Sequence, residues 1–109
     1  MTTIRHGDVV LSKVDLTNIP EGFARKPIDP RGTVLAEGEA TGHAHTIADP
    51  SAAMLFGNPG TDWSILKVMM PVPLTHQEHQ DVILDPGTYR VSIKREYTDD
   101  EKGWKEVVD

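Results

Sequence analysis

The chain has 109 residues, a size that suits one domain and is small for two. It contains no cysteine, which excludes disulfides, iron–sulfur clusters and thiolate zinc sites, so a bound metal ion needs nitrogen and oxygen ligands. The formal net charge is −6, with 17 acidic residues against 11 basic ones, and no Lys/Arg cluster of the kind that neutralises phosphates is present. Composition therefore argues against nucleic acid as a partner.

Apolar stretches are short throughout the chain. The longest one, residues 65–70, already includes Lys67 and falls far below the ~20 residues that a membrane span requires. The charged and polar N-terminal residues are not followed by the apolar segment of a secretory signal. We therefore expect a cytoplasmic protein without a membrane partner, and the lack of cysteine fits a reducing compartment.

Short alternating or apolar runs predict a series of β-strands. In chain order these are residues 9–14, 33–37, 43–47, 53–56, 64–69, 82–84 and 88–97, with residues 104–108 returning as a hairpin partner. The pattern is clearest in the last long strand, where Tyr89, Val91 and Ile93 alternate with polar residues. Residues 15–32 contain three prolines and are predicted to form a surface loop, and residues 98–103 a polar loop.

Glycine and proline interrupt the chain so often that hardly any window of about 11 residues is left for a packed helix. Turn signals about 8–15 residues apart predict an all-β fold, a single small barrel or sandwich of cupin-like or jelly-roll-like form with little or no helix. We expect one β-domain over residues 1–109. A short helical turn at residues 75–79 is an alternative for that segment, because Thr75 and Glu78 have the spacing of a capping box.

Four of the five histidines fall into two tight pairs, and the first pair lies in a predicted strand. His43 and His45 are two residues apart, so their imidazoles point to one face of the strand, and Ile47 continues that face toward the interior. Imidazoles that point inward need partners, and a divalent metal ion satisfies several of them at once. His6 has no other histidine nearby in sequence, and we expect it at the surface.

The second pair is His76 and His79, about 30 residues later. A helical turn would place both rings on one side, whereas an extended segment would place His76 and Glu78 on one face. Either geometry supplies two candidate ligands. The sequence therefore predicts a metal site formed by His43, His45, His76 and His79, a set that Zn²⁺, Fe²⁺, Mn²⁺ and Ni²⁺ all accept.

Two polar residues are candidates for catalysis if the metal site is an active site. Glu78 is placed to serve as a general base, and its alternative role is to cap a turn. Arg95 lies on the same side of its strand as the inward residues, where it would anchor an acidic ligand or pair with a carboxylate at the rim. Glu37 and Glu39 are either partners of the imidazole N–H groups or solvated charges.

The segment Gly42-His43-Ala44-His45, followed by His76 or His79, resembles the cupins, small β-barrels that hold a metal on an HxH strand and a later histidine. Asp49 stands roughly where cupins place a glutamate. The chain is also similar to small uncharacterised bacterial and phage proteins that share residues 38–45, 76–79, 84–91 and 95–97. This second resemblance implies that the two histidine pairs belong to one site, and it brings no assigned reaction.

We interpret the sequence as a small metal-binding β-barrel protein with a histidine-rich centre. One alternative is a small metal-dependent enzyme of dioxygenase, isomerase or hydrolase type, which would keep one coordination position open. Another is a non-catalytic module of accessory or phage counter-defence type that binds a protein partner through its acidic surface. A homo-oligomer is also open, because small barrels often cover an edge strand with a second copy.

Overall fold

The computed structural model describes residues 3–37, 42–93, 96–100 and 103–107, the last two ranges by their backbone alone. These residues form short strands separated by turns. In chain order the strands are β1 (Thr3–His6), β2 (Val9–Val14), β3 (Ala24–Arg25), β4 (Thr33–Glu37), β5 (Ala44–Ile47), β6 (Ala53–Gly57), β7 (Trp63–Val68), β8 (Val72–Leu74), β9 (Val82–Leu84), β10 (Gly87–Ile93), β11 (Glu96–Asp100) and β12 (Gly103–Val107).

The larger layer is an antiparallel sheet with the strand order β1-β2-β10-β7-β6-β3. Strands β1 and β2 are joined by a two-residue turn, Gly7 and Asp8, that pairs His6 with Val9. Gly7 has a φ of 62°, in the left-handed region that the first residue of a type II′ hairpin turn occupies. A glycine at this position therefore fixes the register of the hairpin and the placement of the residues on either side.

The second layer is built from two strand pairs, β4-β5 and β8-β9. Thr46 and Thr75 connect them, since each backbone N–H donates to the other's carbonyl oxygen at 2.9 Å. The two layers are tied at one edge by Thr33 on β4, whose hydroxyl donates to the carbonyl oxygen of Ala53 on β6 at 3.2 Å. Within the described residues the sheets form an open sandwich and do not close into a barrel.

One apolar cluster fills the space between the layers. It draws on both of them, with Val9, Leu11, Leu55, Leu66, Val68, Tyr89 and Val91 from the larger sheet and Leu35, Ile47, Val72, Leu74 and Leu84 from the smaller one. Tyr89 is buried and satisfies its hydroxyl by donating to the carbonyl oxygen of Asp85 at 2.7 Å. Of the inward face predicted for the last long strand, Tyr89 and Val91 lie in this core, whereas Ile93 is 36% exposed.

The predicted all-β class is confirmed, and no helix occurs in the part of the chain that the structure describes. The alternative prediction of a helical turn at residues 75–79 is wrong. Thr75 does not cap a helix, because its backbone N–H and its hydroxyl both donate to the Thr46 carbonyl oxygen, at 2.9 and 3.1 Å. Pairing of Thr75 with Thr46 therefore replaces the cap, and residues 77–79 that follow form a bend rather than a helical turn.

Three strands were not predicted: β1, β3 and β8. β3 lies inside the predicted loop at residues 15–32, where it is only two residues long. The polar loop predicted for residues 98–103 is shorter than expected, because β11 extends to Asp100 and β12 begins at Gly103. The described residues contain no helix that could cross a membrane.

We predict that Leu66→Ala lowers the free energy of unfolding by about 2–5 kcal/mol, because Leu66 is fully buried between the layers. Ile83 is the matched control, since its side chain is 59% exposed and Ile83→Ala should change stability by no more than about 0.5 kcal/mol. Urea unfolding followed by circular dichroism measures both. Equal losses in the two variants would contradict the placement of the core.

Candidate histidine centre

His6 is buried, with 3% of its surface exposed, and the expectation that it lies at the surface is wrong. It ends β1 directly before the Gly7–Asp8 turn and pairs with the fully buried Val9. Because paired residues of neighbouring strands point to the same face, His6 shares the core-facing side of the sheet with Val9. The same turn carries Asp8, which is also buried. His6 and Asp8 contact a second imidazole ring from opposite sides.

That ring belongs to His45 on β5, in the other layer. Nδ1 of His6 lies 2.8 Å from Nδ1 of His45, and both rings are almost fully buried. Nε2 of His6 is 2.9 Å from the backbone carbonyl oxygen of Gln80, and Nε2 of His45 is 3.1 Å from Oδ1 of Asp8. All four ring nitrogens of the pair are therefore engaged.

The partners of the outer nitrogens decide where the ring protons lie. A backbone carbonyl and an ionised carboxylate only accept hydrogen bonds, so Nε2–H of His6 donates to Gln80 and Nε2–H of His45 donates to Asp8. A neutral imidazole has a single N–H, so both Nδ1 atoms then carry lone pairs. Two acceptors facing each other at 2.8 Å require a cation, either a proton or a metal ion, to bring them together.

The second histidine pair lies against this buried pair. The His45 ring centroid is 4.4 Å from that of His76 and 5.8 Å from that of His79, and the His76 and His79 centroids are 4.6 Å apart. The ring centroids of His6 and His79 are 5.6 Å apart. The structure thus brings together His45, His76 and His79, as the sequence predicted, and adds His6 to them.

His43 and Glu78 lie on the more exposed side of the cluster. The His43 ring is 5.6 Å from the His76 ring, and its Nδ1 is 3.5 Å from Oε1 of Glu78, whose side chain is 66% exposed. The backbone N–H of Glu78 donates to Nδ1 of His76 at 3.0 Å. The five histidines, His6, His43, His45, His76 and His79, are called the histidine centre below.

Gln77 fastens the second histidine segment to the first. Its side-chain oxygen accepts a hydrogen bond from the backbone N–H of Ala44 at 2.9 Å, and its side-chain nitrogen donates to the carbonyl oxygen of Gly42 at 3.2 Å. The side-chain amide therefore bridges residues on both sides of His43 and holds the two histidine pairs at a fixed separation.

Burial dominates the electrostatics of the histidine centre. It lowers the pKa of His45 to about 4, with the charges of His76 and His6 acting in the same direction and Asp8 against them. Burial is also the main cause that lowers the pKa values of His6 and His76. The buried rings are therefore neutral at pH 7, and the proton that would join the two Nδ1 atoms is disfavoured there.

Other predicted residues are placed elsewhere. Glu37 is exposed and forms an ion pair with Arg31 at 3.1 Å, and Asp49 accepts hydrogen bonds from Ser51 in a surface turn. Arg95 and Glu39 lie outside the described residues. Within the described ranges, no three His, Asp or Glu side chains already point their donor atoms so that they could hold one metal ion together.

Sequence reasoning missed His6, Asp8 and the clamp made by Gln77. A signal for the first two was present, since Gly7-Asp8 is a two-residue hairpin turn between residues 3–6 and 9–14. Treating residues 3–6 as a strand pairs His6 with the apolar Val9 and points it inward. No sequence pattern indicates the bridging role of Gln77, because its two partners are backbone groups 33 and 35 residues away along the chain.

Comparison with known families gives one match, to a domain of unknown function, DUF8820, over residues 5–94. The matched range contains all five histidines and both layers of the sandwich, and it ends before β11. It lends no support to the resemblance to cupins. Searches of curated proteins and of solved structures found no significant match to the chain.

We predict that Gly7→Ala destabilises the protein more than Gly42→Ala. Both glycines have a left-handed φ, 62° and 82°, so alanine is strained at each position by about 1–2 kcal/mol. At Gly7 a Cβ atom would also lie 2.7 Å from Nε2 of His79 and 2.9 Å from Cε1 of His45, whereas at Gly42 it would meet nothing within 4 Å. Urea unfolding should separate the two variants by at least about 1 kcal/mol, and equal stabilities would show that the rings do not crowd the turn.

The metal-free protein should lose stability as the pH falls from about 6.5 to about 4. The unfolded chain binds protons on its histidines near pH 6.5, whereas folded His45 resists protonation until about pH 4, so between these values the unfolded state holds more protons. The expected loss is on the order of 2–3 kcal/mol, measured by urea unfolding with chelator present. His45→Gln should flatten this dependence and His43→Gln, which leaves the buried pair intact, should keep it. A profile that is flat in the unmodified protein would contradict the burial of His45.

Proposed function

The chain belongs to the DUF8820 family, whose function is unknown, so we propose a function from the histidine centre itself: it binds a divalent transition-metal ion. The supporting observation is the pair of Nδ1 atoms of His6 and His45, 2.8 Å apart and each left with a lone pair. A metal cation placed between two such lone pairs removes their repulsion and satisfies both rings. A proton would do so as well, but burial opposes the charged imidazolium at neutral pH.

The surroundings of the two rings support a metal more than a structural hydrogen bond. Histidines that bind metal ions usually donate the other ring N–H to a carboxylate or a backbone carbonyl, which fixes the tautomer and raises the basicity of the ligand. His45 has such a partner in Asp8, and His6 in the carbonyl of Gln80. Two nitrogens bound to one metal by bonds of about 2.0–2.1 Å lie about 2.9 Å apart at the right angles of an octahedral ion and about 3.3–3.4 Å apart at the tetrahedral angle of Zn²⁺. The separation of the two Nδ1 atoms, 2.8 Å, is closest to the octahedral value, and Zn²⁺ requires the rings to move apart by about 0.5 Å.

His79 is the favoured third ligand. Its Nε2 would lie 2.7 Å from a Cβ atom added to Gly7, so the ring lies beside the turn that carries His6 and Asp8. Within the described residues its nitrogens make no hydrogen bond, which leaves them available to an ion. His76 has to give up the N–H of Glu78 before its Nδ1 can bind. We propose that rotation of the His79 ring, followed by that of His76, completes the ligand set, with His43 at the exposed side.

Metal analysis of protein purified without an affinity tag tests this proposal. We expect about one Zn²⁺, Ni²⁺ or Mn²⁺ per chain by calorimetry, and a higher melting temperature that chelator reverses, because the ion binds the folded chain alone. At a free metal concentration 100 times Kd the stabilisation should be about 2.7 kcal/mol.

His45→Gln and His43→Gln form the matched pair for this experiment. Loss of His45 should abolish stoichiometric binding, since it removes one of the two facing Nδ1 atoms, whereas loss of His43 should weaken binding less. Circular dichroism verifies that both variants are folded. Absence of bound metal together with an unchanged melting temperature after addition of all three ions would contradict the proposed function.

A further inference from the structure

A groove lies between the two layers at one end of the sandwich. Its volume is about 570 Å³, within the range of about 300–1,000 Å³ that small-molecule sites occupy. Apolar side chains form most of its wall and two cations stand at its rim. The residues that define this interlayer groove are Leu35, Pro59, Trp63 and Ile93, the cations Arg25 and Lys26, and one acidic residue, Asp62.

Strand register places the interlayer groove beside the histidine centre. In the larger sheet Ile93 pairs with Val9, and Val9 pairs with His6, so two strand spacings, about 10 Å, separate the wall of the groove from the buried imidazole. In the smaller layer Leu35 occupies the bulge next to Ala36, which pairs with His45. In both layers the wall of the groove therefore lies next to a strand that carries a buried histidine. One half of the open end of the sandwich contains the imidazoles, and the other half is apolar with a cationic rim.

Arg25 and Lys26 place two positive charges against the single negative charge of Asp62 in the lining of the groove, on a chain whose net charge is −6. Arg25 and Lys26 are exposed, and within the described residues neither of their charged groups makes a hydrogen bond or an ion pair. The stem of Lys26 lies over Gly57, where a Cβ atom would collide with its Cε atom. Glycine at this position therefore lets the lysine lie flat along the edge of the groove.

Trp63 borders the groove from the outer face of the larger sheet, because it pairs with Ser92 and contacts Arg90, which alternate with the core-facing Val91 and Tyr89. Its ring lies 4.8 Å from the Phe23 ring, and the Arg90 guanidinium stands 4.3 Å from the Trp63 centroid. These two contacts hold the indole in place before any ligand arrives.

We propose that the interlayer groove binds a small organic anion with an apolar body. The apolar part lies between Leu35 and Ile93, and the anionic group meets Arg25 and Lys26 at the rim. A second element of the proposal rests on the proposed metal function: the end of the ligand that reaches Ile93 lies next to the metal ion, so the groove places the bound anion beside the histidine centre.

A charge series of naphthalene probes tests the first element in chelator-treated protein. We expect saturable binding of 2-naphthoate, followed by calorimetry, with weaker binding of neutral 2-naphthalenemethanol and of cationic 2-naphthylmethylamine. Arg25→Gln and Lys26→Gln should each weaken 2-naphthoate binding about fivefold. Lys67→Gln removes an exposed charge that does not line the groove, and it should leave the affinity unchanged.

Two results would overturn this element. Equal binding of the three probes would show that charge plays no part, and a Kd for 2-naphthoate unaffected by either rim variant would show that the anion is held elsewhere. Failure to detect any saturable binding of 2-naphthoate would overturn it as well. None of these results depends on metal, so they leave the proposed function untouched.

The second element is tested by adding Mn²⁺ and measuring proton relaxation of bound 2-naphthoate. A paramagnetic ion about 10 Å from the groove should broaden the probe signals, and His45→Gln should remove the effect. If Mn²⁺ binds the protein and 2-naphthoate relaxation does not change, the adjacency is wrong. If Mn²⁺ does not bind at all, the proposed metal function and this adjacency both fail. Binding of 2-naphthoate to metal-free protein still tests whether the groove holds an anion.

Discussion

The contact between two imidazoles that face each other across the sandwich is the feature on which the rest of this account depends. His6 and His45 are buried, and the acceptors behind them, the carbonyl of Gln80 and the carboxylate of Asp8, turn both bare nitrogens inward. In an interior of low polarity an unsatisfied pair of lone pairs at 2.8 Å is unfavourable, whereas the same pair around a cation is strongly favourable. This arrangement is the observation on which the proposed metal site rests.

The fold brings these groups together from three distant parts of the chain. The end of β1 and the turn after it contribute His6 and Asp8, β5 contributes His45 from the opposite layer, and the segment after β8 contributes the second pair. The apolar cluster between the layers supports all three, so the polar end of the sandwich is held by the rest of the core. Because the buried imidazoles are neutral, the folded protein loses stability in acid. This loss is the cost of placing ionisable rings in the interior.

Much of the fold could be predicted from the sequence, because period-two alternation is a local signal. Residues 9–14, 33–37 and 82–84 were predicted as strands with the bounds that the structure has. Convergence of the two histidine pairs was predicted from their spacing and from the inward face of β5. The role of His6 was not, because it depends on pairing between β1 and β2, and the short β3 and β8 carry too few residues to show a period. The conformation of residues 75–79 stayed open between a helical turn and an extended segment, because Thr46, the partner of Thr75, lies 29 residues away.

Nitrogen NMR of the imidazole rings tests the cation site most directly. In protein labelled with ¹⁵N-histidine and loaded with Zn²⁺ at neutral pH, the account predicts that Nε2 carries the proton in both His6 and His45 and that both Nδ1 resonances move to the position of a metal-bound nitrogen. Nδ1 resonances that do not change when Zn²⁺ is added, or a proton found on either Nδ1 atom in the loaded protein, would contradict it.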